Sequence, residues 1–218
     1  MAMAKFIGPI IPKTIYLTFD ADMSQGMEAK VKTGQVKFWY DAGVFDFLIQ
    51  NQIPASFFVS GLFAESYPDL MKNLSSNKNF SFQNHSYDES SFTPHCYWLR
   101  TLTTDQEKID QINKTQEVIR KFTGQTPTFF RFPGICRSPH DDQLVKNLGF
   151  TIDNGDVISA DAFNSNTDRI ERNIFRKAKS GSVILMHIGG PNAPKDLEVL
   201  RAIVPKFQDL GYTFEVKS

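Results

Sequence analysis

The chain has 218 residues, 41% hydrophobic and 22% charged, with 24 basic side chains balancing 24 acidic ones. That size suits one α/β domain able to bury its core without help from a disulfide or metal. Zero formal net charge argues against an electrostatic hold on nucleic acid or anionic membrane, which needs clustered Lys and Arg. No apolar run approaches the ~18 residues of a membrane span. Residues 1–14 do not make a complete signal peptide, because their apolar part is short and broken by Pro9 and Pro12. They neither show nor exclude export.

Strand-like apolar runs alternate with segments of helical period along the chain. Strand 15–19 comes first, then helix 36–50 with Phe38, Ala42, Phe45, Leu48 and Ile49 on one stripe, then strand 55–59 and a weaker strand 80–83. Helix 104–123 opens with the capping pair Thr104 and Glu107, buries Ile109, Ile112, Ile119 and Phe122, and stops at Gly124. Strand 128–131 leads to helix 139–148, which opens at Ser138-Pro139 and ends before Gly149. Strand 150–153, helix 167–180 and strand 182–186 follow. Helix 195–210 carries Leu197, Leu200, Val204, Phe207 and Leu210 inward and precedes strand 212–216. Seven strands with helices between them predict a parallel sheet, closed as a barrel or doubly wound, whose site lies at the carboxyl ends of the strands.

Five of those seven strand ends carry ionisable residues: Asp20 and Asp22, then NHSYDES, then Arg131, then Asp156 and Asp161, then His187. His85 and Glu89 are four apart, so on a helical turn they share one face and could grip a metal ion. Taken singly, an Asp after a strand is a turn or cap residue, and a lone His is the partner of a backbone carbonyl. Taken together, they converge on one mouth.

The order of these segments resembles the polysaccharide deacetylases with a NodB-type domain (carbohydrate esterase family 4). The matching motifs are LTFDAD at 17–22, HSYDE at 85–89, RFPG at 131–134, DVISADAF at 156–163 and ILMH at 184–187. The resemblance runs from about residue 14 to the end and implies an irregular (β/α)7 barrel in a single catalytic domain, residues 1–218. It implies hydrolysis of N-acetyl groups on amino sugars, with Asp20 as general base and Arg131 as its partner. Asp22, His85 and Glu89 would bind a divalent metal, Zn²⁺ first and Co²⁺, Fe²⁺ or Mn²⁺ as alternatives. His187 would be the general acid, oriented by Asp161, and Gly134 would donate to the oxyanion. Phe132, Phe163 and Leu185 would contact substrate.

Three departures from the family pattern stand out. Ala21 separates the two aspartates, Glu89 replaces a second histidine, and Ala162 replaces the usual Trp after Asp161. His95 is a rival third ligand, whereas His140 reads as a solvated surface residue. Tyr87, Tyr97, Trp98 and Phe163 are candidates to stack on sugar rings. Cys96 and Cys136 fall in loops at the same mouth, where a disulfide would pin two catalytic loops and favour an exported protein. Two other readings stay open: hydrolysis of another non-peptide C–N bond, and a glycan-binding homologue without activity.

Overall fold

The computed structural model describes residues 13–217; most of the segment weighed above for an export signal lies outside them. The first strand, β1 (Lys13–Ala21), shows how one sequence serves two faces. Alternate side chains point to opposite sides of a strand. Ile15, Leu17, Phe19 and Ala21 enter the main apolar core, while Thr18 and Asp20 face a guanidinium from another strand.

The remaining strands are β2 (Ala55–Val59), β3 (Phe80–Asn84), β4 (Phe129–Phe130), β5 (Thr151–Ile152), β6 (Val157–Ile158), β7 (Ser182–His187) and β8 (Tyr212–Phe214). They form one sheet in the order β5-β4-β3-β2-β1-β7-β6, with every recorded pairing parallel. β8 shares one edge of β1 with β2, pairing at Lys13–Ile15 while β2 pairs at Thr18–Ala21. The sheet is curled into the irregular half-barrel that the family resemblance implies, where strand–helix alternation alone leaves a closed barrel and a doubly wound sheet open. β5 and β6, the two ends of that order, are not paired to each other among the described residues.

The helices are α1 (Gln25–Lys32), α2 (Ala42–Gln50), α3 (Gly61–Ser66), α4 (Pro68–Ser75), α5 (Asp105–Thr123), α6 (Pro139–Asn147), α7 (Thr167–Lys177) and α8 (Asp196–Asp209). The caps at Thr104 and Ser138 form as read from the sequence, and Gly124 closes α5 in the left-handed conformation. The apolar stripes of α5 and α8 fit their helices, except that Leu210 falls outside α8 and is exposed.

Several boundaries differ from the expectation. The first long helix begins at Ala42 rather than 36, so Phe38 lies outside it and is exposed, as is Ile49. Strands expected at 128–131, 150–153 and 212–216 are shorter. α1, α3, α4 and β6 were not foreseen, each being eight residues or fewer. Such segments carry too few turns for a period to stand out. The abundant phenylalanines do their expected work: Phe19, Phe57 and Phe82 stack across β1, β2 and β3. A second cluster around Phe92, Phe130, Phe132 and Phe150 fills the space beneath α5 and α6.

Candidate metal centre at the strand ends

Parallel register brings the polar residues together. Asp20 of β1 pairs with His187 of β7 on one side and Phe58 of β2 on the other. Asn84 ends β3 opposite Phe130 of β4, which places His85 and Arg131 side by side. The His85 Nδ1–H donates to the Arg131 carbonyl at 2.9 Å. That bond fixes the tautomer and turns the Nε2 lone pair inward, as in a metal-binding imidazole with a backbone partner. Nε2 faces three carboxylates: Asp22 at 3.4 Å, Glu89 at 3.5 Å and Asp20 at 4.0 Å.

Asp20, Asp22 and His85 offer ligand atoms that all lie within 4.8 Å of one another, and all three are buried. The donor set fits a divalent cation on a second count. Asp22 Oδ1 and Glu89 Oε2 are buried and accept no hydrogen bond among the described residues, a costly state for carboxylate oxygens unless a cation or proton joins them. Burial and the Asp22 charge push the Glu89 carboxyl up to about 7, against the pull of His85. Burial disfavours charge on His85, but Glu89 and Asp20 outweigh it and hold its pKa well above the ordinary value. Asp22 moves down, because His85 and His187 outweigh its burial.

His85 and Glu89 do meet, yet no helix carries them. The loop after β3 brings them together by placing Ser86 and Glu89 at φ of 64° and 62°. Among the described residues, seven of the eight non-glycine residues with left-handed φ sit in the loops after β3, β4 and β6, with Gln52 the exception. Such residues persist only where surrounding structure forces them. One restraint is covalent: Cys96 and Cys136 form a disulfide that ties the β3 loop to the β4 loop.

Arg131 is fully buried and engaged on every side. Its Nη1 donates to Asp20 Oδ1 at 2.6 Å, its Nη2 to Thr18 Oγ1 at 2.9 Å, and its Nε to the Asp153 carbonyl at 2.9 Å. Its guanidinium lies 3.7 Å from the centre of the Phe58 ring. In the turn that follows, the amides of Arg131, Phe132, Ile135 and Cys136 are all engaged, with Asn84, Asn154, Phe132 and Pro133 respectively. Pro133 has no N–H. The Gly134 N–H therefore stands free of the turn's own bonds. A side chain at Gly134 would strike Cys96 Sγ at 2.7 Å, and its φ of 61° also suits glycine.

Across the site, His187 Nδ1 bonds Asp161 Oδ1 at 3.0 Å, and Nε2 stands 3.5 Å from Asp22 Oδ2. Asp161 also accepts the His187 amide at 2.6 Å, the Ser159 hydroxyl at 2.7 Å and the Ala162 amide at 3.0 Å. Burial opposes its charge, but His187 outweighs burial and holds Asp161 well below the usual carboxylate range. In return, Asp161 overcomes the burial of His187 and raises its pKa well above the ordinary value.

The other expected residues differ widely in exposure. Phe132 is fully enclosed in the second apolar cluster, so it supports the turn from behind rather than lining the opening. Leu185 is buried against Gly155. Phe163 and Trp98 are exposed, at 78% and 93%. The Tyr87 hydroxyl is engaged by Glu65 at 2.5 Å. His95 is exposed and outside the carboxylate cluster, and His140 pairs with Asp105 on the surface. Asp156 precedes β6 and binds the Val183 amide at 2.7 Å, near the start of β7, so it serves the sheet instead of the mouth. Asn192, whose amide lies 3.5 Å from Asp22 Oδ2, had no motif to mark it.

The family pattern described as polysaccharide deacetylase matches residues 8–152. The chain belongs to that family. Among its curated relatives, a peptidoglycan-N-acetylglucosamine deacetylase of Bacillus cereus is 26% identical over 96% of this chain and 68% of its own length. The peptidoglycan-N-acetylmuramic acid deacetylase PdaA of Bacillus subtilis is 27% identical over 97% of this chain and 73% of its own. The solved Bc1960 peptidoglycan N-acetylglucosamine deacetylase, bound to an N-hydroxybenzamide, shares the fold with a TM-score of 0.77. It is 23% identical over 96% of this chain and 88% of that one. A carbohydrate esterase family 4 pseudoenzyme from Bacillus anthracis shares it with a TM-score of 0.74, at 19% identity over 93% of this chain and 63% of that one.

Proposed function

We propose that this polysaccharide deacetylase removes N-acetyl groups from the amino sugars of peptidoglycan, using one divalent cation. The observation that carries the reading is the placement of two cation–carboxylate pairs, Arg131–Asp20 and His187–Asp161, on either side of a buried cluster of metal-type donors. A binder without chemistry has no need of both.

Asp22, His85 and Glu89 would hold the cation, with Zn²⁺ the first candidate. When bound, it supplies Lewis acidity toward the acetyl carbonyl and lets water ionise near neutral pH. Asp20 removes the proton from the attacking water, and Arg131 holds its carboxylate in place. The Gly134 N–H donates to the oxygen on which negative charge develops. His187 carries its transferable proton on Nε2, because Nδ1 is committed to Asp161, and delivers it to the leaving nitrogen. Leu185 and Phe163 lie beside this acid pair along the chain and would meet the acetyl group and the sugar. The disulfide supports an exported protein acting on the cell wall, since such bonds persist in oxidising compartments. No helix among the described residues is long and apolar enough to cross a membrane.

The two curated relatives are named for different sugars of one polymer, so the proposal stops at peptidoglycan. The test is acetate release from purified peptidoglycan and from chitin oligomers, with Zn²⁺ or Co²⁺ added. Release that a chelator abolishes and added metal restores is the expected result. Absence of release with every metal, alongside retained binding to the glycan, would favour the non-catalytic reading to which Glu89 points.

A further inference from the structure

One buried acid has neither a cationic partner nor a hydrogen bond to its carboxyl among the described residues. Asp196 is the first residue of α8 and is 1% exposed. An acidic residue there ordinarily answers the free amides of the helix start. Asp196 does not: neither carboxyl oxygen accepts a hydrogen bond among the described residues. The Gly189 amide is near enough to favour its charge weakly. Its neighbour is the Asp161 carboxyl.

Two buried carboxyls in contact do not both ionise, so the pair holds one proton. The donors around Asp161 decide where that proton sits. Asp161 already accepts four bonds, from the Ser159 hydroxyl, the amides of Ala162 and His187, and His187 Nδ1. Each of those favours the ionised form of Asp161, whereas Asp196 has only the weaker pull of the Gly189 amide. Burial, then the charge of Asp161, pushes Asp196 up to about 10. The charged groups facing the pair from neighbouring elements are His187 and, beyond it, Asp22. On its own helix, Lys195 and Glu198 pair with each other at the surface.

We propose that Asp196 is a positioning residue, a neutral carboxylic acid that donates its O–H to Asp161 and so fixes the carboxylate that orients His187. The donated bond closes the last open side of Asp161 and draws off part of its negative charge. Asp161 then holds the imidazole in one orientation through Nδ1 without strengthening its hold on the Nε2 proton so far that it cannot be passed on. The inference rests on reading His187 as the acid.

The experiment compares wild type with Asp196→Asn and Asp196→Ala, each loaded with Zn²⁺. An Asn amide can still donate to Asp161, so Asp196→Asn should keep kcat within about threefold. Asp196→Ala should lose about tenfold in kcat, the weight of one hydrogen bond to a charged acceptor. KM and metal content should stay as in wild type. Equal values for the two variants, whether both normal or both impaired, would overturn the proposal. Infrared spectroscopy at pH 7 supplies a readout independent of turnover. The wild type minus Asp196→Asn difference spectrum should contain the C=O stretch of a neutral carboxylic acid, and a carboxylate pair of bands in its place would also overturn it. If no variant and no metal gives deacetylation, the reading of His187 fails, while the infrared band still decides whether Asp196 keeps its proton.

Discussion

Asp20 and Asp161 are both buried carboxylates, each bonded to a cationic side chain, and they flank the same donor cluster from opposite sides. Their partners make them different. Arg131 cannot give up a proton, so it can only hold Asp20, and it is itself clamped by Thr18, Asp153 and the Phe58 ring. His187 can give up a proton, and Asp161 sets how firmly it is held. In the proposed mechanism, one side of the cleft keeps a carboxylate available to accept, and the other keeps an imidazole ready to donate. On that proposal, the same residue type would serve as base or as orienter according to whether its partner titrates.

That contrast can be broken first on the Asp20 side. Asp20→Asn should lower kcat by about 10³-fold, the scale of a lost general base, with metal content unchanged by elemental analysis. Loss of the metal together with activity would instead make Asp20 a ligand, as its place in the cluster allows. On the other side, His187→Ala should cost about 10²-fold in kcat.

Asp161→Asn sharpens the comparison through pH. The ionised Asp161 raises the His187 pKa well above 6.5 against burial. With that charge gone, burial is opposed only by the smaller pulls of Asp22 and Asp20. The acid form is then lost at lower pH, so the alkaline limb of the kcat profile should move down. A limb that stays in place would detach His187 from the acid role.

Between the two sides, Glu89→Ala should weaken Zn²⁺ binding by about 10–100-fold, while His95→Ala leaves it unchanged in a metal-competition titration. The smallest effect on chemistry belongs to the bridge between the loops. Replacing Cys96 and Cys136 by Ser removes a cross-link over a separation of 40 residues. It should cost about 3–4 kcal/mol of stability in the chain-entropy view, measured by denaturant unfolding, with the metal site still formed.

Much of this molecule was legible in the chain. The long strands, the capped helices α5 and α6 and the five polar strand ends follow from local chemistry: apolar period, cap residues and the rule that parallel sheets carry their sites at carboxyl ends. The motif residues Asp20, Asp22, His85, Arg131, Asp161 and His187 could therefore be named before any fold was seen. What the chain alone could not fix is whatever depends on contacts distant in sequence. Whether Phe132 faces the opening or the second core is decided by Phe92, whose ring it meets edge-on. His85 and Glu89 meet through a left-handed backbone that no propensity favours, held by its surroundings. Asp196 reads as an ordinary helix-start residue until α8 docks and shuts it against Asp161 away from water. The sequence picked out most of the groups at the mouth, because apolar strands and the polar residues that end them are legible locally, with Asp156 the exception. Tertiary structure decided which of them touch, because burial and charge at each carboxylate are set by neighbours far along the chain.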